Sequence, residues 1–197
     1  MKSICIYCSS SNAIDRHYFD LATDLGKGLA ESGYDLVYGG SNVGLMHELA
    51  TTMLRMGAHV TGVIPERIYE KGLGFEAIQE LIVTPDMSSR KQKMMELSDG
   101  FITLPGGFGT LEEFSETLTL KQLQYHNKPI ILLNHQHFYD PLLQVFDQLF
   151  DSKFAKPDYK SYFYSAGSVQ ETLTYLKSYL PPDFKDKWYW VGSDQFK

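Results

Sequence analysis

Strand-like and helix-like segments alternate along most of this chain, which predicts an α/β fold: a doubly wound, mostly parallel sheet in a single domain. Two further observations agree. Pro129 to Leu133 is apolar throughout, as a strand covered by helices on both faces must be. Three turns of small residues, Cys8-Ser9-Ser10-Ser11-Asn12, Gly39-Gly40-Ser41-Asn42-Val43-Gly44 and Gly106-Gly107-Phe108-Gly109, each follow a strand-like run. A parallel sheet would gather all three at the carboxyl ends of its strands, where such sheets bind ligands.

Composition bounds the function. At 197 residues the chain is long enough for one sizeable α/β domain and short for two. A net charge of −6 argues against a nucleic-acid-binding surface, although one small phosphorylated ligand needs only a local patch. No apolar run approaches a membrane span, and strand-like residues begin at once, without a signal-peptide layout. A cytoplasmic protein is the expectation. Cys5 and Cys8 form a C-x-x-C, but residues three apart on a strand point to opposite faces, and no second pair completes a zinc site. Both are read as core.

The elements follow in order. Ile4 to Tyr7 is a strand, and Tyr18, Leu21, Ala22, Leu25 and Leu29 mark a helix that closes at Gly33. Asp35 to Tyr38 is the second strand, Leu45 to Met56 a helix, and His59 to Ile64 a third strand halted by Pro65. Residues 66–80 are irregular, and Gly72 and Gly74 suggest a ligand-covering loop followed by a short helix. Leu81 to Thr84 is a strand, and Ser88 or Ser89 is expected to cap a helix running to about Leu97. Gly100 to Leu104 is the fifth strand, Leu111 to Gln124 a helix, Pro129 to Leu133 the sixth strand and Tyr139 to Phe150 a helix. Tyr162 to Tyr164 reads as a last short strand. Ser168 caps a final helix, with Glu171 at the capping-box position. The tail from 181 to 197, with Trp188, Tyr189 and Trp190, is not placed.

The chemistry concentrates at Leu104-Pro105-Gly106-Gly107-Phe108-Gly109-Thr110-Leu111-Glu112-Glu113. Glycines there permit positive φ and let a ligand reach the backbone, and the helix restarting at Thr110 would turn its free N–H groups toward an anion. The P-loop pattern is absent, since no lysine follows either glycine turn, and neither turn fits G-x-G-x-x-G. A mononucleotide or sugar phosphate is the implied guest. Glu113 lies one turn into that helix, beside it. Thr110-Leu111-Glu112-Glu113 also satisfies the T-x-x-E capping box, in which case Glu113 would only cap its own helix.

Ser88-Ser89-Arg90-Lys91 followed by Pro105-Gly106-Gly107-Phe108-Gly109-Thr110-Leu111-Glu112-Glu113 resembles the paired R-K and P-G-G-x-G-T-x-x-E motifs of the Lonely Guy (LOG) family, phosphoribohydrolases often mislabelled as lysine decarboxylases. Cys8-Ser9-Ser10-Ser11, Val37-Tyr38-Gly39-Gly40, Val43-Gly44-Leu45-Met46, Gly62-Val63-Ile64-Pro65, Leu97-Ser98-Asp99 and Leu132-Leu133-Asn134 extend the likeness in the family's order. The resemblance implies a homodimer of Rossmann-like subunits that hydrolyses the N-glycosidic bond of a nucleoside 5′-monophosphate without metal or organic cofactor. By it Arg90 and Glu113 are the catalytic pair. Ser9, Gly39, Gly40, Met87, Lys91, Gly106, Gly107, Phe108, Gly109, Thr110, Leu111, Glu112, Thr119 and Glu70 are the substrate and phosphate contacts. Ser88 and His47 depart from the family's usual histidine and glycine and bear on base preference.

The residues fit that chemistry independently. Ribosyl C–N cleavage develops positive charge on the sugar, which a carboxylate near C1′ stabilises while it activates water. An arginine can hold that carboxylate by bidentate hydrogen bonds and keep it ionised. A nucleotide carrier using the same loop is the alternative. Decarboxylation needs a PLP-anchoring lysine in a suitable context, and none stands out. His135 and His137 form an H-x-H with no third ligand nearby, a minor metal reading. Leu120 and Leu123 lie off the Leu111–Phe114–Leu118 stripe, which suggests a dimer contact.

Overall fold

A computed structural model of the chain describes residues 2–182, so the aromatic tail lies outside the described residues. Seven parallel strands form one sheet in the order β4-β3-β2-β1-β5-β6-β7. They are β1 Ser3–Tyr7, β2 Asp35–Tyr38, β3 Val60–Pro65, β4 Glu80–Thr84, β5 Gly100–Thr103, β6 Ile130–Leu133 and β7 Tyr164–Ala166. The helices are α1 Arg16–Glu31, α2 Gly44–Arg55, α3 Glu66–Ile68, α4 Met87–Leu97, α5 Phe108–Gln122, α6 Asp140–Asp151 and α7 Val169–Ser178. Strand order reverses between β1 and β5, which makes their carboxyl ends the switch point of the sheet.

Strand alternation builds two cores. Ile4, Ile6 and Cys8 face a layer with Leu21, Leu25 and Leu29 of α1 and Leu45, Leu49 and Met53 of α2. Cys5 and Tyr7 face the opposite layer, with Met94 of α4 and Phe114 of α5. The two cysteines therefore pack on opposite sides of the sheet, and burial raises both thiols, Cys5 to about 12. Each fully buried leucine of the α1 stripe contributes roughly 1.5–3 kcal/mol. Helix α1 ends as its glycine requires. Gly33 takes φ 78°, its N–H donates to Ala30 O and the Tyr34 N–H donates to Leu29 O, closing a Schellman turn.

Several boundaries differ from expectation. Helix α5 begins at Phe108, not near Thr110, because Gly107 is the N-cap and the Leu111 N–H already bonds Gly107 O. Asp86, rather than Ser88 or Ser89, caps α4: its Oδ1 accepts the Ser89 N–H at 2.8 Å. Residues 66–80 hold α3 and a π turn at Tyr69–Leu73, with no helix after Gly74. The last strand starts at Tyr164, since Tyr162 closes a 3-10 turn packed against Phe150 and Tyr159. Met56, expected as the last residue of the second helix, is instead its exposed C-cap, since α2 ends at Arg55. No helix among the described residues is long and apolar enough to cross a membrane.

Candidate active site

The carboxyl ends of β1, β2, β3 and β5 surround a cavity of about 630 Å³. Its walls are the serine turn Ser9–Ser11, Gly39 and Ser41 after β2, Pro65 with Ile68 and Leu73 from the irregular segment, and Gly107–Thr110 at the start of α5. Arg90 and Glu113 form part of its lining.

Of the helices that start at this edge, α2 and α5 have N-termini that differ. At α2 the Gly44 N–H donates to Asn12 Oδ1 at 2.9 Å and the Leu45 N–H to Ser9 O at 2.9 Å. Those donors are spent stitching the serine turn to the helix. Gly44 takes φ 61°, and a Cβ there would strike the Ser10 backbone at 2.5 Å. At α5 the N-cap is Gly107, which has no side chain to cap with. The first N–H groups of a helix have no intrahelical acceptor, so those of Phe108, Gly109 and Thr110 are available to an anion, favoured by the helix dipole. Contrary to expectation, Gly106, Gly107 and Gly109 all avoid the left-handed region. Gly106 alone of the three is needed for space within the chain: a Cβ there would meet Thr110 Oγ1 at 2.2 Å, whereas one on Gly107 or Gly109 would meet nothing within 4 Å.

The charged pair sits in the floor. Arg90, from α4, is 7% exposed and Glu113, from α5, 8%. Arg90 Nη1 donates to Glu113 Oε1 at 2.7 Å, and Arg90 Nε donates to Val63 O at 3.0 Å. The contact is not bidentate, because Nε is committed to the β3 carbonyl and Nη2 points toward Gly39. Early initiation of α5 also excludes the capping role for Glu113. Thr110 stands at the third helical position, and Glu113 lies inside the helix, turned onto Arg90. Burial raises the Glu113 carboxyl above its ordinary range, and the opposing pull of Arg90 is smaller. The pair thus holds a proton acceptor of strengthened basicity, where an arginine-held, firmly ionised carboxylate was expected. Thr117 donates to Glu113 O at 2.8 Å and takes part in a 2.9 Å hydrogen bond with the Tyr7 hydroxyl, tying this turn of α5 to β1.

Of the residues named from sequence, Ser9, Gly39, Met87, Arg90, Gly107, Phe108, Gly109, Thr110 and Glu113 line the cavity. Phe108 is 93% exposed and Met87 47%, both at the mouth. Gly106 borders an adjoining recess with Ser9, Tyr18 and Phe138. Gly40 shapes the turn with φ 73°, and its carbonyl accepts the Phe75 N–H. The others do not line the cavity of this chain. Lys91 bonds Glu112, and also Glu116 at 2.8 Å, bracing α4 against α5. Leu111 packs into the α4–α5 core layer, and Glu70 is exposed on the π turn. Thr119 borders a separate groove of about 240 Å³ with Leu118, Phe146, Leu149 and Phe150. His47 packs edge-on against Phe75 at 4.8 Å, behind the cavity wall. Sequence reasoning missed Val43, Met46, Pro65, Ile68 and Leu73. The glycines of the irregular segment were the one signal for the last two.

A family profile described as "Possible lysine decarboxylase" matches residues 46–176. The chain is 40% identical to the cytokinin riboside 5′-monophosphate phosphoribohydrolase LOG5 of Arabidopsis thaliana, over 91% of this chain and 79% of that one. It is also 40% identical to the enzyme of that name, LOG, from Oryza sativa subsp. japonica, over 91% and 74%. Among solved structures, the molybdenum cofactor carrier protein of Chlamydomonas reinhardtii superposes with TM-score 0.68 at 24% identity, covering 89% of this chain and 96% of that one. The molybdenum cofactor binding protein of Rippkaea orientalis gives 0.69 at 23%, covering 90% and 96%. At such identity these two share the Rossmann-like fold alone. Profile and curated relatives together show that the chain belongs to the LOG family, the group that includes the cytokinin riboside 5′-monophosphate phosphoribohydrolases.

Proposed function

We propose that this protein hydrolyses the N-glycosidic bond of a nucleoside 5′-monophosphate, AMP or the N6-modified AMP of a cytokinin, releasing free base and ribose 5-phosphate. The observation that carries the reading is the buried Arg90–Glu113 pair facing the same cavity as the uncapped N-terminus of α5. The 5′ phosphate binds the N–H groups of Phe108, Gly109 and Thr110, with the hydroxyls of Thr110 and the serine turn beside it. That anchor fixes the ribose relative to Glu113. Glu113 takes a proton from the attacking water as the C1′–O bond forms and the C1′–N bond breaks, and its charge steadies the oxocarbenium-like sugar. Arg90 orients the carboxylate. The base leaves with the pair of electrons from the broken bond and takes up a proton from solvent, and Glu113 returns its own proton to water.

The described chain acts as one domain, and two copies form a dimer through the outer face of α5, where Thr119, Leu123 and the Leu118–Phe146–Leu149 groove lie. In that assembly Thr119 and Lys91 of one copy belong to the substrate region of the pair, and Glu70 approaches from the irregular segment. The enzyme works in the cytoplasm, in cytokinin biosynthesis. Incubation of a panel of nucleoside monophosphates with the protein tests the activity: free base and ribose 5-phosphate appear in equal amounts. Binding with no base release from any member would make the site a carrier's. Sedimentation of a single monomer-sized species would remove the dimer.

A further inference from the structure

We propose that Tyr139 is the positioning residue of the anion loop: its hydroxyl holds the Leu104 carbonyl just before Pro105 and so sets the α5 N–H groups where the 5′ phosphate meets them. This rests on the reading that phosphate binds at the start of α5. The Tyr139 hydroxyl donates to Leu104 O at 2.7 Å in a buried position. Burial keeps the phenol protonated, so it remains a donor.

The loop has little else to define it. The Leu104 N–H bonds Tyr7 O, the last tie to the sheet, and the next backbone bond is the Leu111 N–H to Gly107 O inside α5. Between them stand Pro105, without an N–H, and Gly106 and Gly107, without side chains. Tyr139 is delivered by an unusual turn after β6, in which Gln136 and His137 take φ 49° and 63°. Non-glycine residues adopt that region rarely, and it persists where the surroundings demand it. Asn134 locks the result. Its Oδ1 accepts the Tyr139 N–H at 2.7 Å, and its Nδ2 donates to Asp140 Oδ1 at 2.7 Å. The Tyr139 ring is 2% exposed and packed in the α4–α5 layer, so phenylalanine preserves the packing and removes only the bond to Leu104 O. That carbonyl would then lose its partner, and a loop of glycines yields.

The test compares Tyr139→Phe with wild type by titration with ribose 5-phosphate and adenosine, and by AMP kinetics. The variant should bind ribose 5-phosphate about tenfold more weakly, with KM for AMP raised by a similar factor and kcat within about twofold. Affinity for adenosine, which lacks the phosphate, should not change. Unchanged ribose 5-phosphate affinity, an equal loss for adenosine, or a wild type that does not bind ribose 5-phosphate overturns the assignment. If Tyr139→Phe does not fold, Asn134→Ala decides by the same titrations, with a loss of about threefold expected. The outcomes separate from the hydrolase reading: a wild type that releases no base, with ribose 5-phosphate binding still weakened by Tyr139→Phe, keeps Tyr139 and removes the activity.

Discussion

A methyl group on Gly39 would lie 2.2 Å from Nη2 of Arg90, so the glycine at the end of β2 is the space in which the guanidinium rests. Its Cβ would also come within 2.8 Å of Met46 Sδ. Both are ends of flexible side chains, and Gly39 itself avoids the left-handed region. Gly39→Ala should therefore displace Arg90 from Glu113 and leave the fold in place. We expect kcat/KM to drop about 100-fold, the scale of a 1 Å misplacement, while unfolding free energy falls by about 1–2 kcal/mol, less than on removing the guanidinium outright. Steady-state kinetics beside a urea titration measure the two. Activity within a factor of two would show that the guanidinium's place is unimportant.

The acid side of the pH–rate profile reports Glu113. Its pKa is raised by burial, so the ionised base is lost at a pH above the ordinary glutamate value of 4.5. The sign for stability is the reverse of that for a surface salt bridge. The folded protein holds this proton more tightly than the unfolded chain, so this group's contribution is present at low pH and is lost as pH rises through the folded pKa. Arg90→Met removes the counter-charge. The acid limb should then move to still higher pH, and the fold should lose about 3 kcal/mol. An acid limb unmoved by this substitution would mean that another group sets it.

His126 gives a stability prediction remote from chemistry. Its Nε2 lies 3.0 Å from Thr117 O, and its Nδ1 accepts the Lys128 N–H at 3.3 Å, an arrangement that suits the neutral ring. Burial, with Lys121 and Lys128 nearby, lowers its pKa from 6.5 to about 4. The unfolded chain then binds a proton between those values that the folded one refuses. Stability should fall as pH drops from about 6.5 toward about 4, by roughly 1–2 kcal/mol after allowing for partial exposure. Urea titrations at both ends of that window, compared with His126→Gln, isolate the term. A variant with the same pH dependence as wild type would assign it elsewhere.

Alternation of strand and helix, the two-sided burial of β6 and the gathering of three small-residue turns were legible because each depends on local periodicity and turn chemistry. The start of α5 was not. Phe108-Gly109 reads as loop and Thr110 as a cap, whereas Gly107 caps the helix and carries Glu113 inward. Nor could spacing reveal that Arg90 meets Glu113, since β5 intervenes and the guanidinium is aimed by Val63 O and the gap at Gly39. That pairing was expected only from the family resemblance. The irregular segment hid Ile68 and Leu73 because a three-residue helix running into a π turn has no apolar period to detect. Lys91 and Thr119 lie outside the cavity of this chain: the first braces two helices and the second opens on another groove.

The most direct measurement is base release from AMP by Glu113→Gln, which keeps the side chain's shape and an oxygen for Arg90 but not the proton acceptor. Turnover at least about 1000-fold below wild type, with ribose 5-phosphate still bound, is the expected result. Turnover near the wild-type rate would contradict the account.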